Sequence, residues 1–289
     1  MRYYQLGDAD ESRLAVRTPD GLYDLTAANA DVATYRDLVR AAAIADLNAD
    51  EIASGIVADA PRIDEAAIEG SVRRPLVPSE VWAAGVTYRI SEEARREESA
   101  MEQIYVDVYE ADRPEVFFKA TPSRLVGPGE AVGIRRDSDW DVPEPELGVV
   151  LHRGEIVGFT IGNDMSSRSI EGRNPLYLPQ AKVYDRCCSI GPCVRSAASL
   201  EDPQDLEMWM TIERDGDRLF EESTNTGGMV RSLEELVECY VDHNAVPELS
   251  VLLTGTSLVP SEGFTLREGD RIDIGIEGIG SITNPVTVV

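Results

Sequence analysis

From Val81 to the C-terminus, short runs of Val, Ile and Leu alternate with Gly and Pro, and this pattern restricts the chain to a β-rich fold. Runs of this length, bounded by turn residues, are typical of strands, because helices need longer apolar periods. The final segment, GFTLREGDRIDIGIEGIGSITNPVTVV, continues the pattern. We therefore predict an α+β chain that is mostly β, with a β-roll or sandwich, antiparallel or mixed, as its core.

Three segments have helical patterns instead. Residues 91–109 open with SEEARREES, which is polar nearly all round, so this helix is predicted to be either a solvated lid or partly disordered. A second helix is predicted over 233–240, where Ser232 offers an N-cap and apolar residues recur at helical spacing. A third, weaker pattern indicates a helix near Leu206.

The N-terminal part has the pattern of a small α+β domain. Short strands separated by turn residues form a meander, and they are predicted at 2–6, 13–17 and 21–25. Thr34 is a candidate cap for a following helix in which Tyr35 and Leu38 lie on one face. The Pro-rich stretch RRPLVPSE then marks a boundary, which gives predicted domains of residues 1–75 and 76–289.

The net charge is −26, from 53 acidic and 27 basic side chains. Such a surface repels phosphates and anionic lipid, so nucleic acid and membrane partners are excluded. The first residues, MRYYQLGD, are polar, and we find no run near the roughly 18 apolar residues of a membrane span. We expect a cytoplasmic protein.

Lysine occurs at two positions, Lys119 and Lys182, while the other 25 basic side chains are arginine (27 minus 2). A lysine retained in such a chain indicates a role that needs a compact ammonium with a tunable pKa. The near absence of lysine and the many carboxylates together suggest adaptation to concentrated salt, which screens self-repulsion. This halophilic character is a hypothesis.

The segment VPEPELGVVLHRGEIVGFTIGND carries the candidate metal ligands. Glu144 and Glu146 are separated by one residue, so both side chains leave the same face of a strand. If residues 153–155 form the loop of a hairpin, Glu144 lies opposite Asp164 and Glu146 lies opposite Gly162. Gly162 would then leave room for a cation shared by the three acids.

Oxygen ligands on clustered small acids favour Mg²⁺, with Mn²⁺ or Ca²⁺ as substitutes. Lys182 follows the three acids along the chain, and we predict that it transfers protons beside the ion.

A series of short motifs from about residue 80 onward resembles the fumarylacetoacetate hydrolase family. They are Phe117-Phe118-Lys119, Val126-Gly127-Pro128-Gly129, Glu144-Pro145-Glu146, Asn163-Asp164-Met165-Ser166-Ser167-Arg168, Gln180-Ala181-Lys182, Gly191-Pro192, Gly255-Thr256 and the run from Gly269-Asp270 to Gly280. Each motif alone is weak, but their shared order is specific.

The resemblance implies a mixed β-roll catalytic domain, a Mg²⁺ ion held by Glu144, Glu146 and Asp164, and substrates that chelate the metal through an α-keto acid or β-diketone. It implies that Thr256 binds the substrate's carboxylate or keto oxygen. Arg168 is expected beside Asp164 as a support or a substrate contact. Two roles remain open for the Lys119 side chain: it ties a strand to a carboxylate, or it contacts the substrate.

The lid segment departs from the hydrolytic members of this family. Ser91 and Ala94 stand where those members have a histidine and a glutamate that activate water. Hydrolysis of a carbon–carbon bond therefore loses its general base. Ser91 and Glu93 remain candidates to help a substrate hydroxyl depart.

Longer stretches, such as IRRDSDWDVPEPEL, resemble the branch that dehydrates 2-keto-3-deoxy-pentonates. The resemblance implies a hydro-lyase that converts a xylonate- or arabinonate-derived acid to 2,5-dioxopentanoate in pentose degradation, with Lys182 as base or proton shuttle. A Schiff base at Lys182 is an alternative use of the amine. An acylpyruvate-type hydrolase and an oxaloacetate decarboxylase remain alternative functions, and the family implies a homodimer or homotetramer.

Overall fold

The protein is described by a computed structural model that covers residues 1–7, 12–89, 107–108, 111–261 and 263–289. Its strands are Arg2–Leu6 (β1), Arg13–Thr18 (β2), Gly21–Asp24 (β3), Arg62–Ile63 (β4), Glu80–Gly85 (β5), Glu115–Ala120 (β6), Leu125–Val126 (β7), Val132–Ile134 (β8), Asp141–Val142 (β9), Pro145–His152 (β10), Glu155–Asp164 (β11), Ser166–Ser167 (β12), Cys188–Ser196 (β13), Glu207–Arg214 (β14), Asp217–Asn225 (β15), Leu249–Leu253 (β16), Arg271–Ile276 (β17) and Gly280–Val288 (β18).

The α-helices are Leu25–Ala28 (α1), Tyr35–Ala45 (α2), Ala49–Val57 (α3), Arg168–Glu171 (α4), Leu178–Lys182 (α5) and Leu233–Val241 (α6). Short 3-10 turns cover Glu65–Ala67, Pro175–Tyr177, Ala197–Ser199 and Thr226–Gly228. Among the described helices we find none that is long and apolar enough to cross a membrane.

Within the described residues the largest sheet has 11 strands, ten of them in the order β4-β3-β2-β1-β13-β11-β10-β16-β5-β6, with β7 pairing to β13. The pairs β16–β5 and β13–β7 are parallel, and the others in this sheet are antiparallel. A second sheet runs β15-β14-β17-β18-β8, and β9 pairs with β12. The prediction of a mostly β chain with a mixed sheet is confirmed.

Strand β10 lies at the centre of the large sheet, and every one of its residues is buried. A strand covered on both faces needs apolar side chains in succession, which explains the run of Leu147, Val149, Val150 and Leu151. Burying each of these side chains contributes about 1.5–3 kcal/mol. Glu146, at the start of this strand, therefore sits on a rigid frame.

The N-terminal elements match their predictions. Strands β1, β2 and β3 form an antiparallel meander, and Thr34 caps α2 in a reciprocal arrangement with Asp37. Strand β1 also pairs with β13, so these strands continue the large sheet. The division into residues 1–75 and 76–289 stays a prediction.

The predicted helix at 233–240 is confirmed as α6, where the Ser232 hydroxyl accepts a hydrogen bond from the Glu235 N–H. The helix predicted near Leu206 is wrong, because that segment leads into strand β14. Met208, Met210 and Ile212 are buried while their neighbours are more exposed, which is the period of two that a half-buried strand requires. Most of the segment 91–109 lies outside the described residues.

Candidate active site

Strands β10 and β11 form the antiparallel hairpin that carries the three acids. Its turn contains two residues, Arg153 and Gly154, both with positive φ (54° and 90°), as a type I′ turn requires. The predicted three-residue loop is therefore wrong. The pairing of the two strands shifts by one residue between Val150 and Leu151, which is a β-bulge. This shift compensates for the turn, which is one residue shorter than predicted.

Beyond the bulge, the alignment of the acids agrees with the sequence prediction. Glu146 pairs with Gly162, and the Asp164 N–H donates a hydrogen bond to the Glu144 carbonyl oxygen at 2.9 Å. The role predicted for Gly162 is wrong. A side chain there would collide with Leu253, so the glycine makes room for the core rather than for an ion.

Glu144, Glu146 and Asp164 are buried, and each offers a carboxylate oxygen within 4.8 Å of the others. Glu146 accepts a hydrogen bond of 2.6 Å from the Gly255 N–H. Gly255 has φ of 79°, and a Cβ there would lie 2.8 Å from the Ala84 carbonyl oxygen. Glycine is needed at this position to bring the backbone N–H to the carboxylate.

Lys182 ends the short helix α5 and lies among these carboxylates. Its Nζ donates to Glu144 Oε2 at 2.8 Å, to Asp164 Oδ2 at 3.0 Å and to Ser166 Oγ at 2.6 Å. Burial alone would lower the pKa of Lys182, but the carboxylates of Asp164 and Glu144 outweigh it and hold that pKa well above its ordinary value. The proton transfer predicted for Lys182 therefore starts from its ammonium form, because these partners raise the pKa rather than lower it.

Arg168 opens helix α4, which Ser167 caps, and it lies 2.6 Å from Glu144 Oε1 through Nη2. Burial opposes ionisation of Glu144, but the cations of Arg168 and Lys182 prevail and lower its pKa to about 2. These two cations therefore keep Glu144 ionised, the form that a candidate metal ligand needs.

Glu146 has the opposite environment. Burial raises the pKa of Glu146 well above its ordinary range, and the charges of Asp164 and Glu144 raise it further. Among the described residues, no Lys or Arg forms an ion pair with it. A buried carboxylate without a cationic partner, next to two further carboxylates, fits a divalent cation.

Lys119 lies behind the three acids, and its side chain is fully buried. Its Nζ forms an ion pair with Asp164 Oδ1 and donates to the carbonyl oxygens of Met165 at 2.8 Å and Lys182 at 2.5 Å. The described residues that line the adjacent cavity do not include Lys119. Of the two alternatives left by the sequence, the geometry favours the structural tie over the substrate contact.

A cavity of about 510 Å³ opens in front of the acids and Lys182. Thr256 and Arg168 line it, as predicted substrate contacts should, and the other lining residues include Thr87, Tyr88, Glu115, Phe117 and Glu171. Ser91 and Glu93, the candidates from the lid, lie outside the described residues.

Glu115 also lines the cavity, although no pattern in the sequence analysis singled it out. It pairs with Gly85, and its carboxylate occupies the space that a side chain at Gly85 would fill. Burial raises the pKa of Glu115, and the pull of Lys182 opposes that shift only in part. A signal was present, because Glu115 precedes Phe117 by two residues on one strand, and alternate residues share a face.

This geometry can be compared with known proteins. The model of the "Fumarylacetoacetate (FAA) hydrolase C-terminal" family matches residues 80–287. The chain belongs to the fumarylacetoacetate hydrolase family. The match includes the three acids, Lys119, Lys182 and Thr256, so the whole candidate site lies in the family's common part.

Within this family, the chain is similar to proteins named as sugar-acid dehydratases. It is 60% identical over 289 residues, the full length of both chains, to a "Probable 2-keto-3-deoxyxylonate dehydratase" of Haloferax volcanii. It is 43% identical over 220 residues, 74% of each chain, to a "2-dehydro-3-deoxy-D-arabinonate dehydratase" of Saccharolobus solfataricus.

A solved structure from the family gives the same picture. The structure of a 2-keto-3-deoxy-D-arabinonate dehydratase complexed with magnesium and 2,5-dioxopentanoate superposes with a TM-score of 0.84. The two sequences are 31% identical, and the match covers 100% of this chain and 99% of that one.

Proposed function

We propose that this chain is a Mg²⁺-dependent hydro-lyase that converts a 2-keto-3-deoxy-pentonate, from the xylonate or arabinonate series, to 2,5-dioxopentanoate. The observation that carries the proposal is the placement of the Lys182 amine within 3.0 Å of two of the three buried carboxylates, on the wall of a cavity of about 510 Å³. The dehydratases among the relatives support the substrate class.

Glu144, Glu146 and Asp164 would hold the ion. When bound, it would polarise the 2-keto oxygen of the substrate and so acidify the protons on C3. The three acids and the Gly255 N–H that holds Glu146 lie on strands or beside them, so the site is positioned before substrate arrives.

Glu115 and Lys182 supply the proton transfers in this proposal. The Glu115 carboxylate, which lines the cavity, takes a proton from C3. The electron pair of the broken C3–H bond is first delocalised into the 2-keto group. It then forms the C3–C4 double bond as the C4–O bond breaks, and the hydroxyl leaves as water with a proton from the Lys182 ammonium. One proton is removed from the substrate and one is delivered, so the step balances.

The enone product then isomerises. Lys182, now neutral, takes a proton from C5, and the Glu115 carboxylic acid returns a proton to C3. The double bond moves to C4–C5, which gives an enol. Transfer of the enol's hydroxyl proton to C4 produces the aldehyde of 2,5-dioxopentanoate, and both side chains regain their starting protonation states.

Thr256 and Arg168 are proposed to orient the substrate. Both line the cavity, and Arg168 already contacts Glu144 at 2.6 Å, so its guanidinium can hold a carboxylate beside the ligands. A Schiff base at Lys182 is not needed in this proposal, because a cation held by the three acids would already polarise the 2-keto group.

An assay of the wild-type protein tests the activity directly. Incubation of 2-keto-3-deoxy-D-pentonates of both C4 configurations with Mg²⁺ at high salt should yield 2,5-dioxopentanoate, and EDTA should stop the reaction. Conversion of oxaloacetate to pyruvate and CO₂, without dehydration of either pentonate, would favour the decarboxylase alternative. Cleavage of an acylpyruvate would favour the hydrolase.

Proton exchange in D₂O, followed by NMR, tests the two residue assignments. Lys182→Met should exchange the C3 protons yet fail to expel the hydroxyl, whereas Glu115→Gln should do neither. Exchange at the wild-type rate in Glu115→Gln would remove Glu115 as the base.

We propose four further properties for the same protein. They are replacement of Mg²⁺ by Mn²⁺ or Ca²⁺, a cytoplasmic location, a homodimeric or homotetrameric assembly and halophilic character.

A further inference from the structure

Lys119 is a fully buried lysine that does not line the cavity, among the residues the structure describes. Burying an ammonium is costly unless its three N–H groups all find acceptors. Lys119 meets this condition with one carboxylate and two backbone carbonyl oxygens, those of Met165 and Lys182. The side chain therefore has a defined task within the site.

The three acceptors belong to separate parts of the active site. Asp164 ends β11 and is a candidate metal ligand, Met165 follows it, and Lys182 ends α5. A five-residue helix has little stability of its own, so the end of α5 depends on contacts with its surroundings, among them the hydrogen bond from Lys119 and the three hydrogen bonds of the Lys182 Nζ. The ammonium of Lys119 thus joins the ligand strand to the segment that carries the proposed proton donor.

We infer that Lys119 is a positioning residue that sets the distance between Asp164 and Lys182. This inference rests on the proposed function. It differs from a substrate contact, because Lys119 acts through two other residues. It also differs from simple charge compensation, because the hydrogen bonds to the two carbonyl oxygens depend on where Nζ lies and not only on its charge.

Two substitutions separate these roles. Lys119→Met removes the charge and all three donors at similar length, whereas Lys119→Arg keeps the charge and displaces the donors. If Lys119 sets the spacing, both variants lose at least about ten-fold in kcat at saturating Mg²⁺, because groups misplaced by about 1 Å react up to 10²-fold slower. The KM for the pentonate should stay within about two-fold of the wild-type value.

The matched control is Arg214→Met, which breaks the ion pair between Arg214 and the buried Asp270 in the second sheet. It should lower the Tm without lowering kcat. If Arg214→Met loses as much kcat as a Lys119 variant of equal Tm, the loss reflects general destabilisation, and the inference is overturned. If Lys119→Met does not fold, the comparison of Lys119→Arg with Arg214→Met decides alone.

A measurement apart from activity uses the two lysines of the chain. Protein labelled with ¹⁵N at lysine Nζ has two side-chain resonances, and Lys119→Arg leaves that of Lys182. We expect this resonance to shift relative to its position in the wild type, with no shift in Arg214→Met. An unchanged resonance together with wild-type kcat in Lys119→Arg would mean that charge alone matters.

Calorimetric titration with Mg²⁺ separates this inference from the proposed function. A wild-type protein that neither binds Mg²⁺ nor dehydrates a pentonate contradicts the proposed function itself. A wild-type protein that does both, with Lys119 variants whose kcat is fully restored by excess Mg²⁺, contradicts only the positioning role and assigns Lys119 to metal affinity.

Discussion

The Lys182 ammonium lies 2.8 Å from Glu144 Oε2, and both groups are buried. In the protein without metal, this amine and the neighbouring Arg168 balance part of the negative charge of the three acids. A bound divalent cation would add two positive charges to the same cluster. The stability of the site and its occupancy by metal are therefore linked.

Lys182→Met should destabilise the metal-free protein by about 3–5 kcal/mol, since it leaves Glu144 and Asp164 without this buried partner. Mg²⁺ should recover much of the loss, because the cation replaces the missing charge. Urea unfolding in EDTA and in excess Mg²⁺ measures both values. Equal destabilisation under the two conditions would mean that no cation binds among these acids.

Gly255→Ala should weaken Mg²⁺ binding and lower the Tm. The alanine would have an unfavourable φ of 79° and would press on the Ala84 carbonyl oxygen, which moves the N–H away from Glu146. Gly216→Ala is the control, since Gly216 has φ of 88° and open space around its Cα. The control should lower the Tm while the Kd for Mg²⁺ in calorimetry stays unchanged; a similar loss of affinity in both variants would contradict this role of Gly255.

Asp141 gives a pH-dependent contribution to stability. Burial raises its pKa from 3.8 to about 6. A raised pKa favours the protonated form in the folded state, so this contribution is complete below about pH 4 and is lost as the pH rises through 6. Relative to Asp141→Asn, the wild type should lose about 1–2 kcal/mol over this interval, after allowance for solvent screening.

Chemical denaturation at several pH values between 4 and 7 tests the Asp141 prediction. The difference in free energy of unfolding between the wild type and Asp141→Asn isolates this group from the many other acids. A difference that is constant with pH would mean that folding leaves the pKa of Asp141 unchanged, and a difference that changes in favour of the wild type as the pH rises would mean that folding lowers it; either result contradicts the prediction.

The Tm should rise as KCl is increased from about 0.1 M to about 2 M, because the net charge of −26 is screened over only about 3 Å near 1 M salt. A thermal unfolding series in KCl measures this, and NaCl at equal ionic strength should give the same curve. Full folding with the highest activity at low salt would contradict halophilic character.

The sequence predicted that Glu144, Glu146 and Asp164 lie together because their arrangement is mostly local. An E-x-E pair on one face of a strand and an aspartate across a hairpin follow from a period of two and a short connection. The prediction even survived a wrong loop length, since the bulge beside Val150 restored the register of Glu146 and Gly162. Hydrophobic alternation likewise fixed the β-rich class.

Other features depend on contacts between distant parts of the chain, and the tertiary structure alone decided them. The side chain of Lys119 meets Lys182, 63 residues away, and Gly255 meets Glu146, 109 residues away. A periodic pattern within one segment of the sequence does not predict contacts between residues so far apart. For the same reason the sequence did not predict that Glu115 lines the cavity or that Gly162 makes room for the Leu253 side chain. The atoms that fill the space beside a residue are determined only when separate strands pack together.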